Sequence, residues 1–141
     1  REPPEDGGST TVRITVVGWR ASAQTPRSGQ QADMSNKAFL IVRAEVATPS
    51  DRPLFDDWYR TEHLPEAAAA FKVERAWRSW SRLESSVHYA FYEFTDIGAA
   101  LAALHSDTNK FLGSKFDATW GDRVTRTRDV VEMVHSLPHT S

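Results

Sequence analysis

The stretch Phe55-Asp-Asp-Trp-Tyr-Arg-Thr-Glu-His-Leu-Pro65 holds the densest group of aromatic and ionisable side chains in the chain. Read at helical spacing, Asp56, Tyr59, Arg60 and His63 stand at i, i+3, i+4 and i+7, which is one face of a helix. Phe55, Trp58 and Leu64, continued by Ala67, Ala68 and Phe71, form an apolar second stripe. Pro65 has no N–H to offer the Thr61 carbonyl, so the helix is expected to bend or break just after His63. A histidine at such a break can leave the regular ridge pattern and face a cavity.

Thr48-Pro-Ser-Asp51 is turn chemistry ahead of this helix, with Ser50 or Asp51 as the N-cap and Pro53 tolerated in the first turn. Before it, residues 39–46 alternate as a strand. Leu40, Val42, Ala44 and Val46 make one wholly apolar side; Phe39, Ile41, Arg43 and Glu45 make the other. Residues 73–83 read as a second strand with neither side cleanly apolar, which suits an edge. A short connection at 84–86 leads to a third strand over 88–95, where Ala90, Tyr92 and Phe94 oppose Tyr89, Phe91 and Glu93. Asp96 caps an alanine-rich helix carrying Ile97, Leu101 and Leu104. A shorter helix over 109–121 holds Phe111, Leu112, Phe116 and Trp120. The last strand covers 124–134, with Thr125, Thr127 and Asp129 alternating against Val124, Arg126 and Arg128.

The 141 residues suit one domain, large enough to bury about two-thirds of its extended surface. Seventeen basic against nineteen acidic residues give a formal charge of −2, so no field favours nucleic acid or an anionic membrane surface. Nothing approaches the roughly 20 apolar residues of a membrane span. Cysteine is absent, which removes disulfides, thiolate nucleophiles and thiolate metal sites. The opening Arg-Glu-Pro-Pro-Glu-Asp-Gly-Gly lacks the layout of a secretory signal, and the expectation is a cytoplasmic protein. Residues 1–37 read as an arm with one extra strand over 11–19. Met34-Ser-Asn-Lys resembles a natural start, which would make the first 33 residues an extension. The domain proper spans 38–137, and 138–141 form a tail.

The order β-α-β-β-α-(α)-β, with a tight turn only between strands two and three, allows few topologies. Right-handed crossovers put the helices on one side of a four-stranded antiparallel sheet, the α+β, ferredoxin-like split β-α-β arrangement. The opposite face, with Phe39, Ile41, Trp77, Tyr89 and Phe91, would be an apolar patch that a monomer rarely exposes. Face-to-face pairing into a homodimer would cover it.

The helix motif, then Arg75-Ala-Trp-Arg78, then Trp120-Gly-Asp-Arg123 before a terminal strand, resemble the dimeric α/β-barrel superfamily. Within it the likeness is to EthD-like and other small stand-alone members with a Trp-Tyr…Glu-His-Leu-Pro helix. The resemblance covers about residues 38–137. It implies a barrel made by two subunits, and a cavity-facing position for His63. That superfamily includes cofactor-free monooxygenases, polyketide cyclases, muconolactone isomerases, haem-degrading enzymes and ligand-sensing domains, so fold does not select function.

His63 is the leading candidate for catalysis. A neutral imidazole near pH 7 can take or give a proton in enolisation, aldol closure or deprotonation of a phenol. The bland alternative is a ring that bonds a backbone carbonyl and buttresses the Pro65 break. Tyr59, one turn earlier, would orient a ligand carbonyl or the imidazole. Arg43 and Glu45 are expected on the cavity side with Glu93, either orienting a ligand or paired as Arg43–Glu93 and Glu45–Arg75. Trp77, Tyr89 and Phe91 would line a pocket wall suited to a flat aromatic or polyketide-like ligand. No metal site is expected: only His135 and His139 have helical ligand spacing, and Pro138 lies between them. No cofactor is called for, haem on His63 being the alternative by resemblance. The function expected is a small-molecule-binding barrel acting as a cofactor-independent cyclase, isomerase or monooxygenase. The alternative is a non-catalytic ligand-binding or dimerisation module.

Overall fold

The computed structural model describes residues 36–138; the expected arm strand over 11–19 and most of the tail lie outside them. Strand β1 (Ala38–Val46) runs through the middle of the sheet. A 3-10 turn at Pro49–Asp51 leads into a continuous helical run made of α1 (Arg52–Trp58), a π-helical turn (Tyr59–His63) and α2 (Leu64–Phe71). Then come β2 (Arg75–Trp80), β3 (Val87–Phe94), α3 (Ile97–Leu104), α4 (Asp107–Trp120) and β4 (Val124–Glu132). The four strands form one antiparallel sheet in the order β2-β3-β1-β4. This is the expected ferredoxin-like α+β topology. No helix among the described residues is long and apolar enough to cross a membrane.

The alternation in β1 divides the sheet. Ala38, Leu40, Val42, Ala44 and Val46 are all buried, and β3 sets Phe94, Tyr92, Ala90 and His88 opposite the first four of them. Helices cover that side. Phe55 of α1 is its hub: fully buried, it packs its ring against Tyr59, His88, Phe116 and Trp120 at centroid distances of 5.2–6.0 Å. Burial of such a ring contributes on the order of 2–3 kcal/mol. Trp120 is thus a core packing residue, and Arg123 lies over its outer face, 4.6 Å from the centroid.

Local signals mostly operate as expected. Asp96 caps α3 by accepting a 2.8 Å hydrogen bond from the Ala99 N–H. Gly121, at φ +54°, ends α4 in a conformation that side chains other than glycine resist. Asp51 departs from expectation. Its carboxylate caps no helix, because it accepts instead from Arg123 Nη1 at 3.1 Å, tying the start of α1 to the turn before β4. The second strand is also shorter than the sequence pattern: β2 stops at Trp80, where Ser81 turns its hydroxyl to the Leu83 and Glu84 N–H groups.

The helix break falls where Pro65 requires it. In an α-helical register the proline ring would collide with the carbonyl of Thr61. The chain avoids this by widening one turn, so that the Leu64 N–H bonds the Tyr59 carbonyl five residues back. Such π turns are rare and occur most often at functional sites.

Candidate functional site

The π turn brings the Tyr59 and His63 rings edge to face, 4.9 Å apart, both buried against the covered side of the sheet. The same widening separates them from the other two members of the expected face. Asp56 turns toward β2, where its carboxylate accepts from Trp80 Nε1 at 2.8 Å and Arg78 Nη1 at 2.9 Å. Arg60 projects outward and pairs with Asp57.

His63 lies flat on Trp58, with centroids 4.8 Å apart and planes 16° from parallel. Phe116 packs beside this pair, 5.6 Å from the His63 ring and 5.5 Å from the Trp58 ring. Among the described residues the imidazole forms no hydrogen bond, so the buttress to a backbone carbonyl is not made. Burial first, then the charges of Arg126, Lys115 and Arg128 against the opposing pull of Glu66, lower its pKa to about 4. The ring is therefore neutral at pH 7. The Tyr59 hydroxyl is fully buried without a hydrogen-bond partner among the described residues. Burial pushes it up to about 12, and burial first, then the neighbouring Tyr59, also raises Tyr92. Both remain hydrogen-bond donors at any ordinary pH.

These groups line a cleft between β1, β3 and β4 on one side and the π turn, α2 and α4 on the other. Its lining joins Tyr59, His63 and Tyr92 to apolar Leu40, Val42, Ala67, Phe71 and Leu112, and to Asn109, Gly113, Arg126 and Arg128. The cleft has about 300 Å³ of atom-free space that includes its open mouth. The part a water can enter, about 20 Å³, suits one water or one functional group. A porphyrin does not fit this narrow cleft beside a His63 ring stacked on Trp58. No cluster of three or more potential metal-ligating side chains occurs among the described residues.

No family model and no curated protein matches the sequence. Solved structures do match in three dimensions. An EthD family protein of Bacillus halodurans superposes with TM-score 0.54 at 20% identity, over 70% of this chain and 99% of its own. SnoaB, a cofactor-independent oxygenase of Streptomyces nogalater, gives 0.53 at 16% identity, over 74% and 100%. A dimeric ferredoxin-like protein from an uncultured marine organism gives 0.57 at 16%, over 73% and 100%. The shared architecture is the ferredoxin-like α+β fold. At these identities the likeness is one of fold alone.

Within the chain, the expected site residues do not form one cluster. His63 and Tyr59 lie on the helix-covered side. Arg43, Glu45, Trp77, Tyr89, Phe91 and Glu93 lie on the opposite face of the sheet. The register is the reason: Phe39, Ile41, Arg43 and Glu45 sit across from Glu93, Phe91, Tyr89 and Val87, one residue out of phase with the buried set. On that bare face Trp77 stacks on Phe91 at 5.1 Å and Tyr89 continues the stack at 6.1 Å. The expected ion pairs are also redrawn. Glu93 faces Arg75 across the β2–β3 ladder and binds both Arg75 (3.1 Å) and Lys37 (2.9 Å). The Lys37 bond is the leading cause that holds its carboxyl below the usual range. Arg43, opposite Tyr89, reaches Glu84 instead at 3.6 Å.

Two cleft residues escaped the reading of the sequence. Arg126 and Arg128 alternate with threonines in β4, which looks like an ordinary solvated strand. The available signal was their phase: they share a side with Val124 and Val130, the positions that pack on the core. Charges in that phase stand at the edge of the helix-covered face.

Proposed function

We propose that this chain is a small-molecule-binding barrel subunit whose ligand enters the cleft beside the π turn, where His63 and Tyr59 conduct a cofactor-independent proton transfer. The observation that carries this reading is a neutral imidazole that forms no hydrogen bond among the described residues, facing the same aromatic-walled cleft as the buried Tyr59 phenol. Such polar atoms are costly to leave unsatisfied in a purely structural core. A flat enolisable or phenolic ligand supplies what both lack. Its oxygen accepts from the Tyr59 hydroxyl while His63 receives the proton from carbon or oxygen. An uncharged imidazole is the form that can accept. SnoaB acts without a cofactor on a similar fold, which supports chemistry of this class.

The test uses a neutral, flat, enolisable ketone. With 2-tetralone in D2O, the protein should accelerate exchange of the hydrogens beside the carbonyl, as followed by proton NMR. His63→Ala should remove the acceleration and leave the fold intact by circular dichroism. Equal rates with and without the protein would sink the catalytic reading.

A second reading rests on the bare face. Phe39, Trp77, Phe91 and Tyr89 form a continuous aromatic surface whose rings are only half-buried in the single chain. This supports a homodimer joined through that face, the arrangement the word barrel implies. If the cleft, narrow enough to admit about one water, takes up no ligand, pairing alone remains as the role.

A further inference from the structure

We infer that the ligand of the cleft is an acid anion, a carboxylate on a flat apolar body, held between the Arg126 and Arg128 guanidinium groups; this rests on the small-molecule reading above. The two groups lean over one point of α4. A Cβ placed on Gly113 would lie in contact with both, 3.4 Å from Arg128 Nη2 and 3.6 Å from Arg126 Nη2, so the absent side chain lets the two guanidinium groups come together over this turn. Both line the cleft. Arg126 is largely buried, its side chain only 13% exposed, and it is stacked 4.0 Å over the Phe116 ring. Its acidic partner is Asp117 at 3.2 Å, which is itself exposed to solvent. Arg128 has no acidic partner among the described residues.

The surrounding charges sharpen the inference. Lys115, on the same helix, is already taken by both oxygens of Glu66 at 2.8 and 2.9 Å. Among the described residues, Arg128 is therefore the cation at this end of the cleft without an acidic partner, beside an Arg126 paired with the exposed Asp117. Two planar guanidinium forks over a narrow apolar floor of Leu40, Val42, Phe71 and Leu112 match a planar carboxylate attached to a ring. Tyr59 and His63 lie within the same lining and would meet the ring's substituents. Occupation has a chemical consequence. An anion between Arg126 and Arg128 cancels part of the positive field that weakens His63 as a base, so the bound acid would itself raise the base strength of the imidazole.

The experiment compares 2-naphthoate with its neutral isostere 2-naphthamide by isothermal calorimetry on the full chain. The acid should bind at least ~10-fold more tightly than the amide, and Arg128→Gln should cost the acid ~10-fold or more while leaving the amide unchanged. Arg128 is exposed, so the variant should fold; Arg43→Gln, on the other face of the sheet, serves as the charge control and should change neither. Acid and amide binding equally, with 2-tetralone also bound, would overturn the anion inference and leave the cleft reading standing. If acid, amide and tetralone all fail to bind, both fall. Tighter binding of 1-naphthyl phosphate than of the naphthoate would overturn the carboxylate assignment.

Discussion

Trp58 and His63 lie face to face, 4.8 Å between centroids and 16° from parallel, across the π turn forced by Pro65. The indole shields one face of the imidazole and Phe116 packs against the edge of the pair, and burial is the leading cause of the lowered pKa of about 4. Truncating Trp58→Ala admits water to the ring. The His63 titration followed by NMR should then move upward from about 4 toward the ordinary histidine value of roughly 6.5. A midpoint that stays put would show that the charges of Arg126, Lys115 and Arg128 dominate instead.

His88 adds a second depressed histidine. It is fully buried on β3, and burial and then the neighbouring Arg78 charge lower it to about 4, against a smaller opposing effect of Asp56. An arginine can only donate, so Arg78 Nη1 gives its hydrogen to His88 Nε2 at 3.3 Å; the ring proton then sits on Nδ1, which has no acceptor. Both histidines bind protons more weakly folded than unfolded. The unfolded chain therefore takes up more protons between pH 6.5 and 4, and stability falls as pH falls through that window. Each contributes a loss on the order of 3 kcal/mol by its lower end. Urea midpoints should drop steadily over this range, and His63→Gln should flatten the slope. A flat profile would contradict both assignments.

The Asp56 carboxylate joins α1 to β2 by accepting from Trp80 and Arg78. The Trp80 bond is the leading cause of its lowered pKa, with Arg78 assisting against partial burial. Asp56→Ala leaves an indole N–H and a mostly buried guanidinium without their acceptor. A loss of ~1–3 kcal/mol is expected, measured by urea unfolding at pH 7. A change under 0.5 kcal/mol, roughly the level of a neutral surface substitution, would show that water replaces the carboxylate.

Lys72 ends α2 with φ +56° and ψ +51°, the left-handed conformation that favours glycine. Lys72→Gly should stabilise the fold by about 0.5–1 kcal/mol, read from the same unfolding curves. Destabilisation would mean that the unfolded chain's gain in freedom outweighs the relieved strain.

On the bare face, Phe91→Glu puts a charge in the middle of the Trp77–Phe91–Tyr89 stack without touching the cleft. Sedimentation at micromolar concentration should give a dimer for the natural chain and a monomer for the variant. A natural chain that sediments as a monomer would remove the pairing argument.

Element order and the wholly apolar Leu40–Val42–Ala44–Val46 side were legible in the sequence, because period-two burial leaves its mark residue by residue. The break at Pro65 was legible for the same reason: a missing N–H has a fixed local consequence. The division of the site was not. Both sides of β1 begin apolar, and nothing local tells which of Phe39 or Leu40 will share a cavity with a histidine twenty-odd residues on. That depends on which face the helices cover, and hence on packing across the whole sheet. Arg60 was misplaced because helical phase was counted through a turn that is not α-helical; Asp56 turns instead to Trp80 and Arg78 on β2, partners far off in sequence. Arg126 and Arg128 went unnoticed because a charged residue in an edge strand is usually solvated. Only the register against Val42 and Ala44 sets them on the covered side.

The most direct test is a two-dimensional amide NMR titration of the labelled protein with 2-naphthoate. The account predicts that the largest shifts fall at His63, Ala67, Leu112, Gly113 and Arg128, around the cleft beside the π turn. Shifts confined to Phe39, Tyr89 and Phe91 on the opposite face, or no shifts at saturating ligand, would contradict it.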